Sequence, residues 1–395
     1  MLKSAIRRSL YLLVAITFGI GLFAFLRPLP LVKATPETVN IKTGAAISLP
    51  WPSYGQAAFG AASYGLLASH GDQKPAPIAS VAKIITALFV LQQKPLALNA
   101  QGPTITLDAT DVGYYNYYYA NDGSIAKVTN GEQISEYQAL QALLLPSANN
   151  MADSLARWAF GSTDAYVTYA NSHIKDLGLT QTTVGGPSGF SAYTTSTAND
   201  LVRLGIQALA NPVIAQIVNQ QSAVVPVAGE IHNVNWLLGA DGVNGIKTGN
   251  TDQAGGCFLF SAKHSVNGQD ITLVGAVMGA PDLNQAIKDA KPILESADSG
   301  FQKITAIKKG QILGSYTADW GATAQAVAAN DVSLYVWRGQ AITASLSLNN
   351  INGNTATDSA VGGLQITANG QTASMQALLN QKFAKPSLTW RIFRY

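Results

Sequence analysis

The chain has 395 residues, only 12% of them charged, and its 25 Lys and Arg against 22 Asp and Glu leave a net charge of +3. This length allows two or three domains with a large core, and so small and dispersed a charge gives no reason to expect nucleic acid as a partner. One cysteine, Cys257, excludes an internal disulfide, the four histidines lack metal-site spacing, and no glycine-rich phosphate loop occurs, so we expect neither a metal nor a cofactor.

Residues 1–30 are typical of a segment that targets a protein to a membrane. Lys3, Arg7 and Arg8 precede an apolar stretch over residues 10–26. A basic flank stays on the cytoplasmic side, so we expect the rest of the chain to be extracytoplasmic. The stretch is at the short edge for a membrane span and slightly long for the apolar region of a signal peptide. Because no good cleavage site follows, we favour an uncleaved signal-anchor in the cytoplasmic membrane. The alternative is a cleaved signal and a secreted protein.

Residues 31–303 predict a linker followed by a mixed domain. The linker is expected over residues 31–50, which have little hydrophobic periodicity, and the domain over residues 51–303. Its strands are predicted over residues 57–67, as a pair, and over residues 246–249, 257–262 and 271–278, with a hairpin turn at Asn267-Gly268. Its helices are predicted over residues 84–91, 131–145, 150–160, 163–177, 197–209, 211–219 and 283–301, and Ser135 is the N-cap expected for the second of them. Helices inserted between early and late strands predict an α+β fold, in which helices cover a sheet.

A cluster of tyrosines lies in the polar stretch after residue 105. Its members are Tyr114, Tyr115, Tyr117, Tyr118 and Tyr119. Each buried hydroxyl would need a hydrogen-bond partner, so such a cluster is more often a surface rim than part of a core. We expect a structural rim, with a glycan or peptide groove as the alternative.

Residues 304–395 differ in character and predict a small all-β domain. Strand-like segments at residues 310–313, 332–337, 342–346 and 364–367 alternate with Gly and Asn turns. The last residues, 390–395, are too few for an amphipathic membrane helix.

Ser80 and Lys83 are the first candidates for chemistry, because they lie at the start of the buried helix predicted over residues 84–91. At positions i and i+3 they share one helix face, about 5–6 Å apart at Cβ. An amine withdrawn from water can accept the proton of a neighbouring serine and make it nucleophilic. Alone, the pattern more often marks a capping serine beside a surface lysine, and it recurs at Ser172 and Lys175.

Two further motifs follow Ser80 in the chain. Ser147-Ala-Asn149 lies in a turn between two predicted helices, and Lys247-Thr-Gly249 opens a predicted strand. Accidental copies of these motifs occur at Lys42-Thr-Gly44, Ser265-Val-Asn267 and Ser347-Leu-Asn349. Only the copies that begin at Ser80, Ser147 and Lys247 follow the order S-x-x-K, S-x-N, K-T-G. They also lie in a helix, a turn and a strand, respectively, and are widely spaced in the chain. That set is the one found in β-lactamases and penicillin-binding proteins.

On these motifs the chain resembles the serine-type D-alanyl-D-alanine carboxypeptidases, the low-molecular-mass penicillin-binding proteins, from about residue 57 to residue 301. Residues 177–189, 196–201 and 232–238 also resemble that family's segments before the third motif. The resemblance implies a β-lactamase/transpeptidase-like catalytic domain, with an antiparallel sheet flanked by helices and a helical subdomain, followed more loosely by a β-rich domain. It also implies a peptidoglycan stem peptide as substrate and β-lactam antibiotics as inhibitors.

The resemblance assigns the chemical step to the first two motifs. Ser80 attacks the carbonyl between the two terminal D-alanines and forms an acyl-enzyme, and Lys83 takes its proton. Burial and the like charge of Lys247 both favour the neutral amine that this requires. Ser147 relays the proton towards the leaving amine, and Asn149 orients Lys83 or the substrate. The middle motif departs from the commoner Ser-Gly-Asn by one methyl group.

The third motif is assigned to substrate binding. Lys247 and Thr248 bind the terminal carboxylate, and Gly249 lets the strand approach the substrate closely. The backbone N–H groups of Ser80 and Asn250 form the oxyanion hole. Carboxypeptidases often carry histidine where this chain has Asn250, a change that a backbone role tolerates.

Three alternatives remain open from the sequence. A D,D-endopeptidase that cuts cross-links has the same motifs, although the β-rich domain favours a carboxypeptidase. A class A β-lactamase needs a carboxylate that activates the deacylating water, and residues 180–189 contain no acidic residue. A non-catalytic wall-binding or penicillin-sensing module would be expected to carry a damaged motif, and none is damaged.

Overall fold

The structure is a computed structural model and describes residues 2–266, 268–368 and 370–394, so Asn267 of the expected hairpin turn lies outside it. The helices are α1 (Leu2–Leu26), α2 (Ala82–Gln93), α3 (Ala109–Ala120), α4 (Glu136–Leu144), α5 (Asn149–Phe160), α6 (Thr163–His173), α7 (Ala198–Ala210), α8 (Pro212–Val218), α9 (Leu283–Ala297) and α10 (Leu388–Phe393). The strands are β1 (Ala34–Pro36), β2 (Gln56–Ala61), β3 (Gly65–His70), β4 (Ala76–Pro77), β5 (Thr104–Thr106), β6 (Gln133–Ser135), β7 (Thr195–Ser196), β8 (Ser222–Val225), β9 (Gly229–His232), β10 (Val243–Thr251), β11 (Gly255–Val266), β12 (Gln269–Ala280), β13 (Phe301–Ile307), β14 (Ile312–Thr317), β15 (Thr323–Ala328), β16 (Val332–Trp337), β17 (Thr343–Leu348), β18 (Ala360–Ala368) and β19 (Gln371–Leu379).

The chain divides into two compact units, one of which is Ala46–Phe301. This unit is built on a five-stranded antiparallel sheet in the order β10-β11-β12-β2-β3. Every residue of β2 is buried, as is most of β11 and β12, which is the pattern of strands covered on both faces. Helix α9 packs on β11 and β12, while α7 packs on β12, β2 and β3. The predicted α+β fold, a sheet covered by helices, is confirmed.

Helix α2 is the centre of the helical part of this unit. Its residues Ile84, Ile85 and Phe89 are almost completely buried, and burial of each such side chain contributes roughly 2 kcal/mol. The helix packs against α4, α5 and α7. Ser80 lies in a short 3-10 turn, Ala79–Val81, that leads directly into it. The core therefore holds Ser80 and the first turn of α2 in a fixed position.

The turn between α4 and α5 fixes a second part of the site. Ser135 caps α4 in a capping box with Gln138, which agrees with the N-cap expected from the sequence. The chain then turns through Pro146 and Ser147 before α5 begins at Asn149. Ser147 has a φ of 65°, in the left-handed region that costs a residue with a side chain about 1 kcal/mol.

The second unit contains the described residues up to Ala45 and those from Gln302 onward. Its main sheet is six-stranded and antiparallel, in the order β1-β14-β15-β19-β18-β17. Leu313, Tyr316, Ile366 and Phe383 are fully buried in its core. In α1, the segment Ser4–Leu26 is long and apolar enough to cross a membrane, and no residue of its most apolar stretch is buried.

The structure differs from the expected linker over residues 31–50. Strand β1 pairs with β14, and Val32 and Ile351 exchange two backbone hydrogen bonds of 2.8 and 3.0 Å. The residues of β14 that pair with β1 lie about 280 residues further along the chain, so no local pattern in the sequence could predict β1. The helix expected over residues 283–301 also ends early, because a 3-10 turn over Asp298–Gly300 leads into β13 at Phe301.

Candidate active site

The Lys83 amine lies at the centre of a compact group of polar atoms. Its Nζ atom is 2.8 Å from Ser80 Oγ, 2.6 Å from Asn149 Oδ1 and 2.7 Å from the Ser188 carbonyl oxygen. The two carbonyl oxygens can only accept hydrogen bonds, whereas a serine hydroxyl can also donate. A neutral amine can therefore donate to Asn149 and Ser188 and direct its lone pair at the Ser80 hydroxyl. This is the arrangement needed to remove the proton from Ser80.

The surroundings of the two buried lysines favour their neutral forms. Burial holds the pKa of Lys83 well below its usual range, and the charge of Lys247 acts in the same direction, while Asp153 opposes both. Burial also lowers the pKa of Lys247 to about 7. The lowered pKa of Lys83 favours the neutral amine, which is the form that can accept the proton of Ser80.

Strand β10 brings the third motif against the turn that holds Ser80. Lys247 and Thr248 are buried, and Lys247 Nζ donates to the Thr248 carbonyl oxygen at 2.9 Å. A Cβ atom at Gly249 would lie 2.9 Å from Ser80 N and 3.1 Å from the Ile78 carbonyl oxygen. Gly249 therefore allows β10 to lie close to the backbone of Ser80. The sequence had predicted a different purpose, the close approach of β10 to the substrate.

A polar cleft of about 430 Å³ opens in front of Ser80. Its lining residues are Ser80, Asn121, Asp122, Gly123, Ser124, Asn149, Phe190, Asn250, Thr251, Asp252 and Gln253. Asn250 is exposed, and the oxyanion-hole role of its backbone N–H stays a prediction. Among the residues that the structure describes, no cluster of His, Cys, Asp or Glu could hold a metal ion.

Ser147 stands slightly apart from the other predicted residues. Its Oγ atom is buried and has no hydrogen-bond partner within the described part of the chain. Its neighbour Asn149 contacts Lys83, but no hydrogen bond joins the Ser147 hydroxyl to the rest of the described set. A buried hydroxyl that lacks a protein partner is costly, so Ser147 has free hydrogen-bonding capacity beside Asn149.

The accidental motif copies lie in different surroundings. Ser172 is exposed at the end of α6, where its hydroxyl donates to the Tyr169 carbonyl oxygen, and Lys175 is exposed as well. The residues of Lys42-Thr-Gly44 and Ser347 belong to the second unit. Asn267, which completes another copy, is not among the described residues.

Three residues of the site were missed from the sequence: Ser188, Tyr118 and Asp153. Ser188 lies in the segment that resembled the family but carried no assigned role. Tyr118 belongs to the cluster expected at the surface, yet it is only 6% exposed and donates to Asp153 Oδ2 at 2.8 Å. Asp153 follows Asn149 by four positions on α5, a spacing that could have placed both on one helix face.

Comparison with known proteins agrees with this geometry. The family model for D-alanyl-D-alanine carboxypeptidase, peptidase S11, matches residues 59–282, more than half of the chain. The chain belongs to this family. Within the carboxypeptidase family, a protein of Mycobacterium tuberculosis named D-alanyl-D-alanine carboxypeptidase DacB2 is 34% identical over 204 residues, which are 50% of this chain and 66% of that protein.

A D-alanyl-D-alanine endopeptidase of Pseudomonas aeruginosa is 29% identical over 220 residues, 53% of this chain and 66% of that protein. The chain thus spans about two thirds of the length of these curated relatives. Among solved structures, penicillin binding protein 5 from Haemophilus influenzae superposes with a TM-score of 0.60 at 18% identity, covering 89% of this chain and 100% of that one. This likeness shows the penicillin-binding-protein fold.

Proposed function

We propose that this chain is a serine D-alanyl-D-alanine carboxypeptidase, which removes the terminal D-Ala from peptidoglycan stem pentapeptides and is acylated by penicillins. The observation that carries the proposal is the Ser80 hydroxyl, 2.8 Å from a buried amine whose two other partners can only accept hydrogen bonds. Family membership supplies the class of reaction.

The chemical step follows from this contact. Ser80 Oγ attacks the carbonyl carbon between the two D-alanines while its proton moves to Lys83 Nζ. The proton then passes to the leaving amine, with the unpaired Ser147 hydroxyl as the relay. Water hydrolyses the acyl-enzyme and restores Ser80. Since residues 180–189 offer no carboxylate to activate that water, release of a bound penicillin is expected to be slow.

Substrate binding is assigned to β10. A carboxylate that approaches Lys247 raises the pKa of its amine and so promotes the ammonium that would bind it, with Thr248 alongside. The N–H groups of Ser80 and Asn250 form the oxyanion hole, each worth about 3–4 kcal/mol in the transition state. Gly249 keeps these two backbones close together.

A D,D-endopeptidase that cuts cross-links is the second candidate, because relatives of comparable similarity are named endopeptidases. The full chain in detergent should be incubated separately with a stem pentapeptide and with a cross-linked peptide dimer, and the products weighed by mass spectrometry. Loss of one alanine from the pentapeptide, absent with Ser80→Ala, is the expected result. Cleavage of the dimer with an intact pentapeptide would select the endopeptidase, and two inert substrates would exclude both.

We also propose that the extracytoplasmic enzyme stays anchored by α1. The segment Val32-Lys-Ala34 is a poor substitute for a cleavage site and includes the first residue of β1, and Val32 exchanges backbone hydrogen bonds with Ile351. Cleavage after Ala34 would divide β1 and remove these bonds. Mass spectrometry of the protein extracted from membranes should find peptides from residues 9–27. A soluble extracytoplasmic form that begins at residue 35 would contradict the anchor.

A further inference from the structure

Buried hydrogen bonds connect the Lys83 amine to a carboxylate through Ser188, which uses its backbone carbonyl towards Lys83 and its hydroxyl towards Tyr118. Lys83 Nζ contacts the Ser188 carbonyl oxygen at 2.7 Å, and Ser188 Oγ lies 3.2 Å from the Tyr118 hydroxyl. Tyr118 in turn donates to Asp153 Oδ2 at 2.8 Å. All four side chains are at least nine-tenths buried. None of the roles given to the three family motifs uses Tyr118, Ser188 or Asp153.

The donors in these hydrogen bonds have a defined direction. Tyr118 has one hydrogen, and it points to Asp153, so the Ser188 hydroxyl must donate to the Tyr118 oxygen. Ser188 Oγ also accepts from the Phe190 N–H at 3.3 Å. The hydrogen bonds therefore converge on the Asp153 carboxylate, which suits its ionised form, and aligned hydrogen bonds of this kind strengthen one another.

Asp153 lies on α5 one turn after Asn149, the residue that contacts Lys83. Burial raises its pKa to about 6, while the Tyr118 hydrogen bond and the charge of Lys83 lower it. Tyr118 on α3 donates to Asp153, whose charge raises the pKa of Tyr114 on the same helix and acts to raise the pKa of Lys83 on α2. Lys247 on β10 acts on Lys83 with the opposite sign.

The nearest cation on the same helix is engaged elsewhere. Arg157, one turn after Asp153 on α5, binds Asp111 at 2.6 Å and Asp108 at 3.0 Å. Asp153 is therefore left to act as the buried counter-charge of Lys83.

We infer that Asp153 is a positioning residue for the reaction, which acts through Lys83 and is held by Tyr118 and Ser188. When Ser80 attacks, its O–H bond breaks, an N–H bond forms on Lys83, and a positive charge appears in a buried site. Asp153 compensates that charge until the proton passes on to the leaving amine. Asp153 is not part of the cleft lining, so it acts without contacting substrate. This inference rests on the proposed function.

The removal of this charge should change the pH dependence of acylation. Acylation needs neutral Lys83, so its rate falls as pH drops through the pKa of that amine. The Asp153 carboxylate raises this pKa, and Asp153→Asn should therefore move the acidic limb to lower pH, by about 1 pH unit. The amine also becomes a weaker base, so the plateau rate should fall about tenfold.

The second-order acylation rate by a fluorescent penicillin should be measured for the full chain across about pH 5 to 9. Asp153→Glu, which keeps the charge, should restore the position of the limb. Asp176→Asn, an exposed carboxylate changed in the same way, should give the wild-type profile. Tyr118→Phe keeps the ring but removes the bond that favours the carboxylate, and should move the limb in the same direction as Asp153→Asn.

The inference would be overturned if the acidic limb of the pH–rate profile stays at the wild-type position in both Asp153→Asn and Tyr118→Phe, or moves to higher pH. A fall in their plateau rates alone would not rescue it. If Asp153→Asn does not fold, as judged by circular dichroism, the Tyr118→Phe profile decides alone. Failure of the wild-type chain to react with penicillin would contradict the proposed function itself, so the two failures can be told apart.

Discussion

Two serine–lysine pairs with the same spacing lie in this chain and differ in almost everything else. Lys83 is fully buried, and its amine contacts Ser80, Asn149 and Ser188. At the other pair, Ser172 bonds to the backbone of its own helix and Lys175 is exposed to solvent. The three-residue spacing is the same in both places, but only the first pair joins its hydroxyl to an amine that is withdrawn from water.

The difference shows which part of the chemistry is local. The acceptors that orient Lys83 come from Asn149 and Ser188, which are 66 and 105 residues away in the chain. Burial of the amine depends on the core around α2. An S-x-x-K pattern thus fixes one distance, while the protonation state of the amine is set by distant segments.

The strongest test of this contrast replaces each lysine by a side chain of similar length without an amine. Lys83→Met should lower the rate of acylation by penicillin about 10³-fold, because the base is lost while the buried volume is largely kept. Lys175→Met should acylate at the wild-type rate. The measurement is the second-order rate of labelling by a fluorescent penicillin, and equal effects of the two changes would remove the distinction between the pairs.

Gly249→Ala tests whether the first pair depends on a neighbouring strand. The added methyl would lie 2.9 Å from Ser80 N, so either β10 or the turn that holds Ser80 must move. A displacement of this kind should slow acylation about 100-fold. Gly363→Ala, in a strand of the second unit where the nearest atom is 3.4 Å away, should leave the rate unchanged. An unimpaired Gly249→Ala protein would show that close approach is not needed.

The pH dependence of the free energy of unfolding tests the burial of the Lys247 amine. Burial lowers the pKa of Lys247 from 10.5, the ordinary value for a lysine, to about 7 in the folded chain. Between these values the unfolded chain binds more protons, so the free energy of unfolding rises with pH, by up to about 1.4 kcal/mol per pH unit. This contribution is complete above the ordinary value and is lost as pH falls to about 7.

Thermal unfolding midpoints at several pH values measure this dependence. Lys247→Met should flatten the rise relative to wild type, and Lys175→Met should not. Parallel curves for wild type and Lys247→Met would mean that Lys247 stays protonated in the folded chain.

Much of the catalytic unit could be predicted because its patterns are local. The apolar run over residues 84–91 indicated buried helix α2, and Ser135 indicated the start of α4. The order of the three motifs indicated which residues to seek in one place, and the structure brings Ser80, Lys83 and Asn149 within hydrogen-bond reach.

The parts that were missed depend on contacts between distant segments. Strand β1 exists only through its pairing with β14, so residues 31–50 looked like a linker. The polar character of the tyrosine cluster concealed Tyr118, whose burial depends on Asp153 and Ser188 from other segments. Periodicity describes which face of an element is apolar, but it does not show which polar group another segment will supply.

The most direct test of the Ser80 assignment compares the two serines in one labelling experiment. Wild type, Ser80→Ala and Ser172→Ala should be incubated as full chains with a fluorescent penicillin and separated on a denaturing gel. Covalent label on wild type and on Ser172→Ala, with none on Ser80→Ala, is the predicted result. Label that persists on Ser80→Ala, or that disappears from Ser172→Ala, would contradict the assignment of Ser80 as the nucleophile.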